Sequence, residues 1–381
     1  MARIIYALSG QGRGHTSRVI AISDELRRAG HELLFCGGGT AREILGSEGE
    51  RMLTVPPLRQ VIEGNQLRFF STIACNWDSI VGMTGIITQL ADEFASFKPH
   101  LLITDFEAFS PRAAQRIGLP VLSFNHQQVV TETRYDLPLR FRLNAILTGT
   151  AIRLIAPRNP VHVLITSFFY SPLKRPERTT LVPPIIRPVI QSISPVKGDH
   201  VLVYFNHPKG AEYVLDVLRQ VDAPFVVYNF DRPERPEDYP NVIFKQPSMD
   251  GFLKDLATCR AVISTAGFTL TSEALFLGKP LLVAPNDGIF EQTINAIFLE
   301  REGLGRAVIG RPITVRDVTT FLEQHAIYEE RLRNRNYSGN ERAVMCIEKV
   351  LSRCMPSVHP RPILPSETAE RVPETCSVKP E

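Results

Sequence analysis

The 381-residue sequence predicts an α/β protein of two doubly wound domains facing a cleft. Three observations predict it. The chain is too long for one ordinary domain and fits two. Short apolar runs alternate with longer helical stretches, the pattern of βα units on a parallel sheet. A proline-dense break, SPLKRPERTTLVPPIIRPVI at residues 171–190, separates two such series.

In the first series, strands are expected at Ile4–Leu8, Leu33–Cys36, Leu101–Thr104, Val121–Phe124 and Val163–Thr166. In the second they fall at Val201–Phe205, Phe225–Tyr228, Val242–Phe244, Ala261–Ser264 and Leu281–Ala284. Helices are expected at Thr16–Ala29, Ser79–Phe97, Ala211–Gln220, Leu270–Leu277 and Gln292–Arg301. The resulting division is an N-terminal domain at 1–170, a linker at 171–190 and a C-terminal domain at 191–354. The stretch 355–381 is rich in proline and charge and reads as a disordered tail.

Bulk composition narrows the function. Hydrophobic residues make up 44% and charged residues 22%, the balance of a globular chain with a sizeable core. The formal charge of +3, from 43 basic and 40 acidic residues, argues against a general nucleic-acid binder. Six cysteines (Cys36, Cys75, Cys259, Cys346, Cys354 and Cys376) include no C-x-x-C pair, so a zinc knuckle or redox pair is not expected. A reducing cytoplasm is the natural setting. The opening MARIIYALSGQGRGH runs straight into glycines and reads as a first strand, not a signal segment. No apolar run reaches the roughly 18 residues a membrane span needs.

Two segments carry the chemistry. After the first strand comes Gly10-Gln11-Gly12-Arg13-Gly14-His15, opening a helix. Glycines there let backbone approach a ligand and leave helix N–H groups free. As a dinucleotide fingerprint it fails. The third glycine is one position early, and the second strand ends in Gly37-Gly38-Gly39-Thr40 where a ribose-binding acid belongs. His15 on the first helical turn faces the cleft. It can take a proton near neutral pH, or simply pack locally.

The second segment is Ser264-Thr265-Ala266-Gly267-Phe268-Thr269-Leu270-Thr271-Ser272-Glu273, followed by GKPLLVAPNDGIFEQTINA. A strand ends in Ser-Thr-Ala-Gly and a helix begins, which suits a diphosphate at Gly267 and the first-turn amides. Glu273 can accept both hydrogen bonds of a ribose diol, or be a solvated helix residue. Glu291 and Gln292 open the next helix, where polar side chains can read sugar hydroxyls.

Taken together, these pieces resemble the GT-B glycosyltransferases, with two Rossmann-like domains. The likeness is strongest to the lipid-linked N-acetylglucosaminyltransferase of peptidoglycan synthesis and to related teichoic-acid and glycolipid transferases. GQGRGH resembles that group's glycine turn ending in histidine. Asn125-His126-Gln127-Gln128 resembles its H-E-Q-N acceptor loop, and Pro183-Pro184-Ile185-Ile186-Arg187 its N-P-V-R stretch. The order holds from residue 4 to about 353.

The resemblance implies an inverting, metal-independent transfer from a nucleoside-diphosphate sugar, favouring UDP, to a hydroxyl of a lipid-linked or cell-envelope acceptor. No organic cofactor is implied. His15 would be the base, with Asp105 of the Thr104-Asp105-Phe106-Glu107 run assisting it or serving the turn. The donor would meet Gly12, Gly14, Arg187, Met249, Phe252, Gly267, Thr269, Glu273, Glu291 and Gln292. The acceptor would meet His126, Gln127 and Gln128. The second domain's first loop departs from the group: Phe205-Asn206-His207-Pro208-Lys209-Gly210 replaces a glycine-rich turn, where Lys209 and His207 can bind phosphate, with Asn206 and Lys209 counted among the donor contacts, or the loop is purely structural. Glu291-Gln292 replaces paired glutamines, which leaves the sugar open. A GT-B sugar-nucleotide epimerase and a non-catalytic nucleotide-sugar binder are the alternatives.

One further pattern concerns location. Residues 134–158 interleave arginines with apolar residues, including Arg140, Arg142 and Arg153 with Leu143, Ile146 and Leu147. Such a stretch either lies on an anionic membrane at the cytoplasmic face or forms an interior helix with exposed charges.

Overall fold

The computed structural model describes residues 1–10, 13–59, 61–63, 66–67, 69–205, 211–333 and 335–355. The first sheet has seven strands: β1 (Arg3–Leu8), β2 (Glu32–Gly37), β3 (Met52–Thr54), β4 (Leu101–Asp105), β5 (Val121–Asn125), β6 (His162–Thr166) and β7 (Thr179–Val182). Their order is β3-β2-β1-β4-β5-β6-β7, all parallel. The second has six: β8 (Val201–Tyr204), β9 (Phe225–Tyr228), β10 (Val242–Lys245), β11 (Ala261–Ser264), β12 (Leu281–Val283) and β13 (Gly305–Ala307), in the order β10-β9-β8-β11-β12-β13. These are the two doubly wound domains expected.

The apolar runs become strands because parallel central strands bury both faces. Along β1, Ile4, Ile5, Tyr6, Ala7 and Leu8 are all essentially inaccessible. Ile4, Tyr6 and Leu8 belong to one core, Ile5 and Ala7 to the core on the opposite face. Helix α1 (Arg13–Arg28) covers the first of these with Val19, Ile22 and Leu26, spaced three and four apart. It starts one turn earlier than the sequence suggested. The helix expected over Ser79–Phe97 is interrupted at Gly82.

The proline-dense segment departs from expectation. Thr179–Val182 pairs with β6 as an edge strand, where flanking prolines cost no ladder bond. The C-terminal helix also departs. Asn340–Cys354 leaves the second sheet and packs Ala343, Ile347, Val350 and Leu351 against Ile4, Ile22 and Leu26 of the first. Asn340 pins the crossing: its Oδ1 accepts from the Ile186 N–H at 2.9 Å and its Nδ2 donates to the Ile186 carbonyl at 2.9 Å. Gly339 beside it has no room for a side chain, since a Cβ would lie 2.0 Å from the Pro183 oxygen.

The two halves share one apolar cluster. Phe168 and Phe169 from the first meet Phe268 and Phe298 from the second. Phe169 stacks on Phe298 with ring centroids 4.0 Å apart. In each sheet the strand order reverses between two central strands, β1 and β4 in one, β8 and β11 in the other. Ligands of such sheets bind beyond the strand ends at that reversal.

Candidate active site

Both clusters singled out in the sequence fall at these reversals. Leu8, the last residue of β1, sits level with Asp105, the last residue of β4. Gly10 follows β1 and packs so tightly that a Cβ would meet the Gly38 oxygen at 2.4 Å. The Gly37-Gly38-Gly39 run therefore serves close backbone packing against this turn. Gly39 also takes a positive φ of 50°.

From this turn α1 projects His15. Its Nδ1 lies 2.9 Å from Asp105 Oδ1. Arg18, one turn on, donates from one nitrogen to both carboxylate oxygens at 3.1 Å. That nitrogen also lies 3.1 Å from His15 Nδ1. An ionised carboxylate only accepts, so at 2.9 Å the proton between the two groups is on His15 Nδ1. His15 therefore donates Nδ1–H to Asp105, which leaves Nε2 facing Gln127. Gln127 Nε2 stands 3.5 Å from that atom. Burial alone would raise the Asp105 pKa, but the charges of Arg18 and His15 outweigh it and hold the group below its ordinary range. Asp105 is thus ionised at neutral pH. Its neighbour Phe106 adopts a strained positive φ of 58°. Glu107 caps the helix Ser110–Arg116 instead, accepting from the Phe109 and Ser110 amides at 2.9 and 2.6 Å.

The second reversal is built differently. After β11, Ala266 takes a positive φ of 60°, a strained conformation for a residue with a Cβ. Gly267 then opens α2 (Phe268–Phe276), whose first-turn amides face the cleft end of the sheet. Glu273 on this helix is buried and forms a two-point ion pair with Arg187: Nε to Oε1 at 2.6 Å and Nη2 to Oε2 at 2.8 Å. Arg187 Nη1 also lies 3.5 Å from Met249 Sδ. The groups expected to hold diphosphate and ribose separately hold each other. Phe252 sits close by against Tyr204 and Tyr228. Around α2, the buried Ser264 Oγ, Thr271 Oγ1, Ser272 Oγ and Asn286 Nδ2 have no partner among the described residues.

Glu291 is half-buried in the first turn of the helix Phe290–Arg301. Gln292 points inward, its Oε1 accepting from the Asn286 amide at 2.8 Å. It shapes the loop rather than opening to the cleft. The two reversals touch through Gly14, where a Cβ would lie 2.5 Å from Thr269 Oγ1. The starts of α1 and α2 are therefore in direct contact.

Not every expected contact is free for a ligand. His126 is fully buried, with Nδ1 2.8 Å from the Thr166 carbonyl and Nε2 2.8 Å from Asn295 Oδ1. Its ring stacks on Phe268 at 3.7 Å. The acceptor contact expected of it gives way to a link between the two halves. Gln128 is likewise committed to Asn125 and Ser123. Gln127 alone of the three reaches the cleft. Gly12, Asn206 and Lys209 lie outside the described residues. Arg18 and Phe268 were not singled out by sequence, although Arg18 stands three residues from His15 on the same helical face. Asn295 stands inside the TINA segment that was.

Known proteins place this architecture. The model of the family described as Glycosyl transferase family 1 matches residues 2–325. An uncharacterized glycosyltransferase of Methanosarcina acetivorans is 25% identical over 327 residues, covering 80% of this chain and 85% of the relative. Among solved structures, the glycotransferase of kitacinnamycin superposes with a TM-score of 0.67 at 18% identity, over 93% of this chain and 99% of that one. LpCGTa in complex with UDP gives 0.64 at 16%, over 94% and 100%. MurG of Acinetobacter baumannii gives 0.62 at 15%, over 92% and 100%. At such identities the structural likeness is one of fold.

Proposed function

The chain belongs to glycosyl transferase family 1, and from that premise we propose an inverting transfer of a sugar from a nucleoside diphosphate, UDP foremost, to an acceptor hydroxyl. One observation carries this reading. A histidine oriented by a buried carboxylate stands at one sheet reversal, in contact through Gly14 and Thr269 with a helix start, an arginine and a carboxylate at the other.

In the proposed step the acceptor O–H gives its proton to His15 Nε2. Its oxygen forms the new bond to the anomeric carbon as the bond from that carbon to the diphosphate oxygen breaks. The leaving nucleoside diphosphate takes the electron pair. Asp105 stabilises the imidazolium that forms, the role a buried carboxylate plays beside a histidine base. The amides after Gly267 and the fork of Arg187 meet the growing phosphate charge. Glu273 then takes the ribose hydroxyls. These groups supply the positive charge a divalent ion would, so turnover is expected to persist in EDTA.

UDP complexed to a protein of the same fold supports uridine as the first base to test. The test is a thermal-shift panel of UDP, GDP, TDP and their sugars. A ligand at 100 times its Kd stabilises by about 2.7 kcal/mol. Stabilisation by UDP-sugars that is weakened in Glu273→Ala supports the reading, and no shift with any nucleotide overturns it.

For the acceptor, the proposal is a lipid-linked molecule at an anionic bilayer. Helix α3 (Arg142–Ile155) buries only Gly149 and Ile152. Leu143, Ile146, Leu147 and Leu154 face outward at 60–68% exposure, joined by Leu139. Arg134, Arg140, Arg142, Arg153 and Arg158, all exposed, surround them. An apolar stripe with a basic rim matches anionic headgroups. No helix among the described residues is long and apolar enough to cross a membrane. Flotation with phosphatidylglycerol vesicles tests this: binding lost in Arg140→Glu plus Arg142→Glu supports it, and absence of wild-type binding ends it.

A further inference from the structure

Arg18 is the least expected member of the site. It is a buried cation, 5% exposed, and it reaches both halves of the molecule. Its nitrogen bonds both oxygens of Asp105, while its guanidinium carbon lies 5.6 Å from the ring centre of Phe268. Phe268 is the first residue of α2, directly after Gly267, and its ring is stacked on His126. Arg18 and His126 come from the first half and Phe268 from the second. The aromatic ring that begins the donor-side helix thus meets two side chains of the base-side domain.

We propose that Arg18 is a positioning residue that lowers the basicity of His15 and is itself held in place by Phe268, so that base strength depends on how the two halves meet. This deepens the reading of His15 as the base. Two effects of Arg18 act in the same direction. It shares the Asp105 charge that would otherwise stabilise a protonated His15. It also sets a positive charge 3.1 Å from Nδ1, which opposes a second positive charge on the ring. Phe268 contributes a cation–π contact that fixes the guanidinium on the carboxylate.

The remaining charged or titratable groups facing this cluster do not reverse the sign. Tyr6 on β1 is buried and stays neutral, its pKa pushed up by burial and then by Asp105. Burial lowers the His126 pKa, against the opposing pull of Glu291 and of its bonds to Thr166 and Asn295. Glu291 favours protonation of His126 and Arg18 opposes it.

The experiment is an NMR pH titration of the full chain labelled at histidine Cε1, with the His15 signal assigned from its loss in His15→Gln. It needs neither donor nor acceptor. In Arg18→Gln the His15 pKa is expected to rise by about one unit, a tenfold change in proton affinity. Arg18→Lys keeps the charge and should return it most of the way. Phe268→Leu keeps an apolar side chain but removes the ring, and should raise the pKa in the same direction by less. Thermal melts of all three confirm folding. If Arg18→Gln does not fold, Arg18→Lys and Phe268→Leu still decide. An unmoved His15 pKa in the folded variants overturns the proposal. An intact shift with no sugar transfer by the wild type would instead overturn the base reading and leave this coupling standing.

Discussion

The two sheets share a strand order and present their reversals to each other, yet the two sites are held in opposite ways. At the first, Asp105 is held by His15 and Arg18 of its own domain, and His15 Nε2 faces the Gln127 amide nitrogen at 3.5 Å. At the second, Arg187 and Glu273 are paired with each other, and four buried polar atoms around α2 lack partners among the described residues. A proton-transfer group works by being held rigidly in one tautomer. A binding site for a charged ligand must exchange partners, and an ion pair that opens to admit a diphosphate on one side and a diol on the other does so at little net change in bonding.

That contrast can be broken at its strong end first. His15→Ala should lower transfer by a factor on the order of 10²–10⁴, while UDP stabilisation in a thermal-shift assay stays at the wild-type level. Loss of UDP stabilisation in that variant would mean the two sites are not separable. Glu273→Gln should do the reverse. Hydrogen bonds to charged groups are worth about 1.5–3 kcal/mol, so uridine-containing ligands should weaken by about 10- to 100-fold. Pyrophosphate, freed from competing with Glu273 for Arg187, should bind more tightly by calorimetry. Parallel weakening of both ligands would show that the pair is structural.

Gly14 probes the contact between the sites. A Cβ there collides with Thr269 Oγ1, and overpacking of this kind costs about 1–3 kcal/mol. Gly14→Ala should therefore lower the melting temperature and transfer together. Gly14→Ala with Thr269→Ala should recover much of both, and a double mutant no better than the single would place the collision elsewhere. The smallest effect expected is pH dependence at the seam. Burial holds the His126 pKa below its ordinary value near 6.5. The unfolded chain therefore binds the proton more readily, so the contribution is full above about pH 6.5 and is lost as pH falls toward the folded value. Melting temperature should drop on acidification from pH 7 to 5.5, and the drop should shrink in His126→Asn.

Most strands and both reversal turns were legible in the sequence, because a buried parallel strand must be apolar and a helix start after a strand must carry glycine or small polar residues. Thr179–Val182 was hidden by its prolines, although its β-branched residues suit an edge strand. The Arg187–Glu273 pair was hidden because each residue was assigned to a ligand, and nothing in a linear sequence says that residues 86 apart meet. His126 shows the same limit from the other side. A histidine in a polar loop resembles a binding residue until a second domain closes over it.

The helix Asn340–Cys354 has a consequence for how the molecule is made. Its apolar side completes the core beneath β1 and α1, so one wall of the first domain is encoded after the second domain. The first domain cannot finish its interior until the second has been translated and threaded between. Until then Ile4, Ile22 and Leu26 lack their final covering. Nascent chains arrested before residue 340 are expected to be protease-sensitive in the first sheet, and chains arrested with Cys354 clear of the exit tunnel to be protected.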